Sequence, residues 1–298
     1  MIYIDLSTYL PEDDWRYKAW QLNNELYEKN SSDEKFAFID ANRMFWGQLK
    51  EGLPFNDKCW FSESKESVSV YQIEHFRPTK AVGRSTGIFK KLKPLSEESR
   101  KDWTTSTKFK GLGYWWLAFN YLNYRNCGGR INNIKGIRFP ISQNSFIAYD
   151  VNDNFNNEHN FLIDPIKKGD PELLTFDPDG KARPSSINKT SLEYYRAYVS
   201  IEIYGLNSID SLVSHRNTKW NECYKAIRRA MEKYDELERA VNIGDVPLYN
   251  RYFDEFMDFI DNDIKPAINE SSEFSAVAKA CVLSYSKYDW IKDYVLEA

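Results

Sequence analysis

The sequence has few of the residues from which disulfide-linked scaffolds are built. Only four cysteines occur in 298 residues, and the histidines number three. The cysteines lie far apart and form no CxxC pair; they are Cys59, Cys127, Cys223 and Cys281. This usage favours free thiols in a reducing compartment and excludes a cysteine-rich secreted scaffold.

Glycine, proline and long hydrophobic runs are also scarce. Thirteen glycines and eleven prolines exclude a collagen-like repeat. The longest uncharged aromatic stretch, Gly111 to Tyr124, is too short to cross a bilayer, and Asp5 lies where a signal peptide would need basic residues. With 42% hydrophobic and 28% charged residues, the chain is predicted to be a soluble globular protein of the cytoplasm.

Charge is unevenly distributed, although the net charge is only -4. Residues 1–150 contain 22 Lys and Arg against 18 Asp and Glu, whereas residues 151–298 contain 18 against 26. The basic excess is concentrated in residues 81–113, which hold eight basic and three acidic side chains. Two interpretations stay open for this segment: a basic surface that follows a phosphate backbone, or a solvated loop.

Helical periodicity marks both ends of the chain. An apolar residue recurs every three or four positions after Pro11, which predicts a first helix with the buried face Trp15, Ala19, Leu22 and Leu26. Ser31 and Glu34 predict a capping box at the start of a second helix that runs to Gly52, with the apolar face Phe38, Ala41, Phe45 and Leu49. Beyond Asn188 the pattern is helical again.

The central part of the chain has a different pattern. From Asn56 to Pro140, short aromatic and β-branched runs are broken by Gly, Pro and Asn, which predicts strands and loops. Ser67 to Phe76 is predicted to be one strand of a hairpin, and Cys59 to Phe61 the other.

A glutamate and a histidine stand side by side near the end of that predicted strand. The stretch from Tyr71 to Pro78 reads YQIEHFRP, and Pro78 ends the strand. Glu74 offers an oxygen ligand to a metal ion, and His75 offers a general base. A single Glu-His pair is weak evidence, because most histidines are packed or lie at the surface.

Further motifs follow in a fixed order. Residues 114–117 read YWWL, Asn123 comes next, and residues 132–140 read NNIKGIRFP. Together with Glu74 and His75, these motifs resemble the HNH, or ββα-metal, endonucleases. In that family a strand ends in an acidic residue and a histidine, an asparagine follows, and a short helix presents another Asn or His before a basic residue.

The resemblance extends to one branch of the family. The chain is similar to the PtuB-type nuclease subunits of Septu-type and retron-associated bacterial anti-phage defence systems. Downstream motifs agree with this, namely LIDP at residues 162–165, DPELL at 170–174 and FDPDG at 176–180. The similarity therefore runs from about Lys58 to Arg216.

The resemblance implies a fold and an activity. The fold class is α+β and mainly α-helical, with a small ββα-metal core flanked by helices. Three segments are expected: an N-terminal helical segment at 1–55, a nuclease domain at 56–188 with the basic insertion at 81–113, and an acidic helical domain at 189–298. The activity is metal-dependent hydrolysis of phosphodiester bonds in nucleic acid, with DNA favoured.

The candidate site residues have separate roles. His75 would activate the attacking water, and Glu74 and Asn132 would hold one Mg²⁺ or Mn²⁺ ion. By resemblance, Asn123 would fix the backbone around His75. Contacts to the substrate are predicted for Arg77, Lys135, Lys90, Lys91 and Lys93. His159 and His215 are weaker candidates, for which structural or surface roles are favoured.

The sequence departs from the family at the zinc knuckle that many HNH relatives carry. The first CxxC pair reads CWFS from Cys59 to Ser62, and the second pair would fall at Gly128 and Ile131. Two thiols cannot complete a four-ligand zinc site, so no structural zinc is expected. Aromatic packing is expected to replace it, around Trp60, Trp115 and Trp116.

The resemblance also implies partners. An ATPase of the SMC or ABC type would bind the acidic helical half, and a retron reverse transcriptase with its msDNA is a further implied partner. Two alternative functions stay open: a toxin that cleaves RNA such as tRNA, because the motif does not distinguish the sugar, and an inactive nuclease-derived binding scaffold.

Overall fold

The computed structural model describes residues 1–65, 70–83, 113–142 and 145–296. Most of the basic insertion, including the predicted substrate contacts Lys90, Lys91 and Lys93, lies outside the described residues. The described part of the chain is mainly α-helical with four short strands, which confirms the predicted mainly helical α+β class. None of its helices is both long enough and apolar enough to span a membrane.

Ten α-helices are seen in the described residues: α1 (Asp13–Tyr27), α2 (Ser32–Ala41), α3 (Met44–Gly47), α4 (Gly129–Lys135), α5 (Leu192–Tyr204), α6 (Asp210–Ile243), α7 (Val246–Phe259), α8 (Lys265–Ile268), α9 (Ser275–Leu283) and α10 (Asp289–Ile291). The strands are β1 (Gln72–His75), β2 (Tyr124–Cys127), β3 (Leu174–Phe176) and β4 (Ala182–Pro184). β1 pairs with β2, and β3 with β4, in two separate two-stranded sheets.

The chain forms two compact units. One contains Tyr3–Leu174 and Pro184–Ser208, and the other contains Met1–Ile2, Thr175–Arg183 and Ile209–Ala298. These limits differ from the three predicted segments, 1–55, 56–188 and 189–298. Helices α1 to α3 and helix α5 belong to the same unit as the β1–β2 sheet.

The N-terminal helices follow the local sequence signals in part. In α1, the four residues of the predicted apolar face are buried. The predicted capping box is present at α2, where Ser31 Oγ accepts a hydrogen bond from the Glu34 backbone N–H and the Glu34 carboxylate accepts one from Ser31. The prediction that this helix continues to Gly52 is wrong. The Asn42 side chain donates to the Phe38 carbonyl over 2.9 Å, which ends α2 at Ala41.

The second unit is organised by the long helix α6, which packs against α7 and α9. Helical periodicity predicts one apolar face for α6, of which Cys223, Ile227, Ala230 and Leu237 are buried, whereas Val241, placed on the same face, is 58% exposed. Gly244 ends α6 with φ +72°, a left-handed conformation that glycine adopts without steric cost.

Candidate active site

A short antiparallel hairpin followed by a helix forms the centre of the candidate site. β1 pairs with β2 so that Glu74 lies opposite Arg125 and His75 opposite Tyr124. The predicted pairing of β1 with Cys59 to Phe61 is wrong. That segment lies at β2 instead, where the Trp60 N–H donates to the Asn126 carbonyl over 2.9 Å. The true partner of β1 comes about fifty residues later in the chain, beyond the basic insertion.

His75 is the last residue of β1 and is held by a backbone carbonyl. Its Nε2 lies 2.9 Å from the Ala118 carbonyl oxygen. Because a carbonyl can only accept, Nε2 carries the proton and Nδ1 carries the lone pair. The Tyr124 hydroxyl donates to the same carbonyl over 2.8 Å. The tautomer of His75 is therefore fixed by main-chain geometry.

Aromatic rings surround the imidazole. Trp46 and Tyr124 meet it edge to face, with ring centroids 4.9 and 5.1 Å from that of His75. Burial lowers the pKa of His75 to about 4, because the charged imidazolium would lose solvation there. The ring is consequently neutral at pH 7, with a lone pair on Nδ1.

Asn123 fixes the chain directly after His75. Its Oδ1 accepts from the Arg77 N–H over 2.9 Å, and its Nδ2 donates to the Arg77 carbonyl over 3.0 Å. Its own carbonyl accepts from the Phe76 N–H over 2.9 Å. Asn123 thus holds the backbone that follows the histidine, through its side-chain amide at Arg77 and its main-chain carbonyl at Phe76.

Glu74 and Lys135 form a buried ion pair. Lys135, the last residue of α4, is 0% exposed, and its ammonium donates to the Glu74 carboxylate. It also donates to the His75 carbonyl over 3.3 Å. Burial raises the pKa of Glu74, and the neighbouring ammonium of Lys135 opposes that shift.

The two faces of β1 separate the predicted catalytic residues. Asn132 on α4 donates to Gln72 Oε1 over 2.7 Å, one turn of helix from the Lys135 contact with Glu74. Side chains alternate along a strand, so Gln72 and Glu74 share the face covered by α4, whereas His75 points to the opposite face. The structure does not bring His75 together with Glu74 and Asn132.

The oxygen donors do not fit a divalent cation in this arrangement. Mg²⁺ and Mn²⁺ need several oxygen ligands around one point. The ammonium of Lys135 already neutralises Glu74, and the Asn132 amide is bonded to Gln72. Within the described ranges, no group of three or more His, Cys, Asp or Glu side chains could hold a metal ion.

Arg77 is also buried, at 7% exposure, and is paired with Glu158. The rings of Tyr114, Phe139 and Phe155 lie around its guanidinium, with centroids 4.9 to 5.1 Å away. Arg77 and Lys135 are therefore committed to buried carboxylates, which argues against the phosphate contacts predicted for them. Sequence reasoning missed Glu158, since nothing in its local pattern indicates a partner 81 residues away.

The two cysteines at the knuckle positions lie next to each other. Cys59 and Cys127 are fully buried, and their thiols share a hydrogen bond. Ser62 occupies the second position of the first pair and also bonds the Cys59 side chain. Trp115 and Trp116 pack edge to face with centroids 5.7 Å apart. His159 and His215 are both exposed, away from the His75 contacts described above.

Comparisons with known proteins found no relative. No family model, curated protein or solved structure matches the chain. The functional assignment consequently depends on the order of the motifs and on the geometry around His75.

Proposed function

We propose that the protein is a phosphodiester hydrolase of the HNH type that acts on nucleic acid, with DNA as the favoured substrate. The observation that carries the proposal is the state of His75. It ends the first strand of a strand–strand–helix unit, it donates through Nε2 to a main-chain carbonyl, and its Nδ1 is left as an acceptor.

The chemistry follows from that tautomer. Nδ1 takes a proton from the water that attacks phosphorus, and the imidazolium that forms keeps its Nε2–H bond to Ala118. The bond from phosphorus to the leaving 3′-oxygen breaks, that oxygen takes a proton from solvent, and the imidazolium returns its own proton to solvent. The carbonyl bears partial negative charge, so it stabilises the imidazolium more than the neutral ring. Asn123 acts as a positioning residue, because it holds the backbone that follows His75.

The resemblance implies Mg²⁺ or Mn²⁺, and the arrangement of Glu74, Lys135 and Asn132 does not offer a site for either. The same ion pair favours a second candidate function, a nuclease-derived scaffold that binds nucleic acid without cleaving it, because Glu74 is already neutralised by Lys135.

The proposed biological setting is a bacterial anti-phage defence complex. In it the chain would be the effector, bound to an ATPase of the SMC or ABC type and to a retron reverse transcriptase with its msDNA. What supports a protein partner is charge: residues 151–298 hold 26 acidic against 18 basic side chains, which repel a phosphate backbone and attract a basic protein surface. Pull-down of the purified ATPase by the full chain, at rising salt, tests this.

A cleavage assay tests the proposed activity. Double-stranded DNA, single-stranded DNA and tRNA are each incubated with the full chain, with and without the ATPase, in Mg²⁺, in Mn²⁺ and in EDTA. We expect DNA to be cut, and His75→Ala to lower the rate by at least about a hundredfold, the scale of a lost general base. His215→Ala, which removes an exposed histidine on α6, is the matched control and should leave the rate unchanged.

Each other outcome has a definite meaning. Equal rates for the wild type and His75→Ala would remove His75 from the mechanism. Cleavage of tRNA alone would identify the RNA-cleaving alternative. Binding of DNA without cleavage under every condition would contradict the enzyme and support the scaffold.

A further inference from the structure

Two lysines act electrostatically on His75, and they differ in their access to solvent. Burial is the main cause of the lowered pKa of His75, and the positive charges of Lys135 and Lys80 lower it further. Lys135 is 0% exposed and is paired with Glu74. The Lys80 side chain is 42% exposed, and its ammonium lies 2.5 Å from a carboxylate oxygen of Asp40. Lys80 is therefore a solvent-accessible cation whose charge reaches His75.

A run of ring contacts connects the helix that bears Asp40 to the imidazole. Phe38, two residues before Asp40 on α2, meets Phe119 edge to face, with the ring centroids 6.2 Å apart. Phe119 contacts Trp46, with the centroids 6.1 Å apart, and Trp46 contacts the ring of His75. All of these residues belong to one compact unit. The ion pair and His75 thus lie at the two ends of one aromatic cluster.

The ion pair of Lys80 differs in burial from those of the two lysine and arginine residues predicted to contact substrate. Arg77 and Lys135 are paired with carboxylates, and the side chains of both pairs are at most 10% exposed. The side chains of Lys80 and Asp40 are 42% and 59% exposed. Opening a buried pair leaves an unpaired buried charge, whereas an exposed pair contributes little and another anion can replace its carboxylate. Lys80 is therefore able to exchange its partner.

The Asp40 contact shows which kind of group the Lys80 ammonium binds. One carboxylate oxygen of Asp40 accepts a hydrogen bond from Lys80 Nζ. A phosphate oxygen is also an anionic acceptor, and lysine binds phosphate groups as a compact point charge. A phosphate of nucleic acid can accordingly take the place of this carboxylate.

We propose that Lys80 contacts a phosphate group of the bound nucleic acid next to His75, and that Asp40 competes with that phosphate for the Lys80 ammonium. The inference rests on the proposed function, because it names a substrate contact at the same site. Asp40 holds the lysine in the free protein and releases it when nucleic acid binds.

The salt dependence of binding tests the proposal without any cleavage step. A fluorescent DNA duplex and, in parallel, tRNA are titrated with the full chain by anisotropy at a series of NaCl concentrations. EDTA is present, and a gel after each titration shows that the nucleic acid is intact. Lys80→Met should weaken binding and reduce the slope of log affinity against log salt by about one, because one phosphate contact is lost. Lys80→Arg keeps the charge and should keep the slope.

The competing carboxylate makes a prediction of opposite sign. Asp40→Asn should tighten binding at least about threefold, the scale of one exposed ion pair that no longer competes for the lysine. The controls come from an equivalent exposed pair, Lys65 with Asp57, whose side chains are 42% and 55% exposed. Lys65→Met and Asp57→Asn change the net charge by the same amounts and should leave the affinity and the slope close to those of the wild type.

Three results would overturn the proposal. The first is wild-type affinity and slope in Lys80→Met. The second is equal changes in the Lys80 and Lys65 variants, which would show a general effect of charge. The third is that neither DNA nor tRNA binds to the wild type. Loss of the fold does not explain a weakened Lys80→Met, because an exposed pair contributes little to stability, and its melting temperature is measured alongside.

The two proposals can fail separately. Binding that depends on Lys80, together with no cleavage of any substrate, would retain the phosphate contact and remove the hydrolase. Cleavage that depends on His75, with unchanged binding in Lys80→Met, would do the reverse.

Discussion

Glu74 and His75 are neighbours in the sequence but lie on opposite faces of strand β1, and their hydrogen-bond partners differ in kind. On one face, His75 makes one hydrogen bond to a carbonyl and keeps its second nitrogen as an acceptor. On the other face, the Glu74 carboxylate forms an ion pair with the buried ammonium of Lys135. The first arrangement leaves one nitrogen lone pair, whereas the second is a buried ion pair. Adjacent residues of one motif can therefore have completely different surroundings when they lie on a strand.

Loss of the ion pair between Glu74 and Lys135 should have the largest effect on stability. Lys135→Met leaves the Glu74 carboxylate buried without its partner, and we expect the free energy of unfolding to fall by about 3–5 kcal/mol. Chemical denaturation measures this change. The matched control is Lys80→Met, which removes an ion pair with Asp40 whose side chains are 42% and 59% exposed. There the loss should be about 1 kcal/mol or less.

A double variant sharpens the same comparison. Glu74→Leu combined with Lys135→Met replaces the buried pair by apolar groups, and it should recover most of the lost stability. Equal losses of unfolding free energy in Lys135→Met and Lys80→Met would contradict a buried, desolvated ion pair at Glu74.

A smaller effect on the free energy of unfolding is expected at Asn123, which holds the backbone that follows His75. Asn123→Ala removes the side-chain partners of the Arg77 N–H and carbonyl, and should lower the free energy of unfolding by about 2 kcal/mol. Asn154→Ala, which removes one exposed turn contact to the Asn156 N–H, is the control and should cost less. If the two losses measured by denaturation are the same, Asn123 does not fix this loop.

The smallest effect is expected from metal removal. Cys59 and Cys127 lie together. A structural zinc site needs four ligands, and Ser62 stands at the second cysteine position of the first pair. Dialysis against EDTA should leave the melting temperature unchanged, and elemental analysis should find negligible zinc. One tightly held zinc ion per chain, with a fall in melting temperature on its removal, would overturn this prediction.

Local features of the fold were predictable from the sequence, whereas long-range partners were not. The apolar face of α1 and the capping box at Ser31 depend on residues three or four apart, so periodicity finds them. The partner of β1 follows a long insertion, and pattern reasoning chose the nearer segment. The Lys135 contact with Glu74 spans 61 residues, and the sequence suggested a contact from Lys135 to the substrate instead.

The candidate site also has some features that the sequence predicts and others that depend on the tertiary structure. His75 and Asn123 could be selected because their residue types carry the chemistry and their order resembles a known motif. The Ala118 carbonyl that orients His75 is a main-chain group, and no residue type identifies it. Which face of β1 each side chain occupies depends on where α4 packs, and this too is decided by the tertiary structure.

The lowered pKa of His75 makes the stability of the fold depend on pH. Its pKa is lowered from 6.5 to about 4 in the folded protein, so the unfolded chain binds this proton more tightly. The stability contributed by the neutral ring is complete above pH 6.5, and it is lost as the pH falls from 6.5 towards 4. The ring therefore stays unprotonated throughout the neutral range.

The most direct test of the account is a ¹⁵N–¹H NMR titration of the imidazole nitrogens, with the His75 signals assigned by their loss in His75→Gln. At pH 7 we predict a neutral ring protonated at Nε2 and unprotonated at Nδ1, which titrates near pH 4. A ring protonated at Nδ1, or one that titrates near its ordinary pKa of 6.5, would contradict the central claim that the fold presents His75 as an oriented, neutral base.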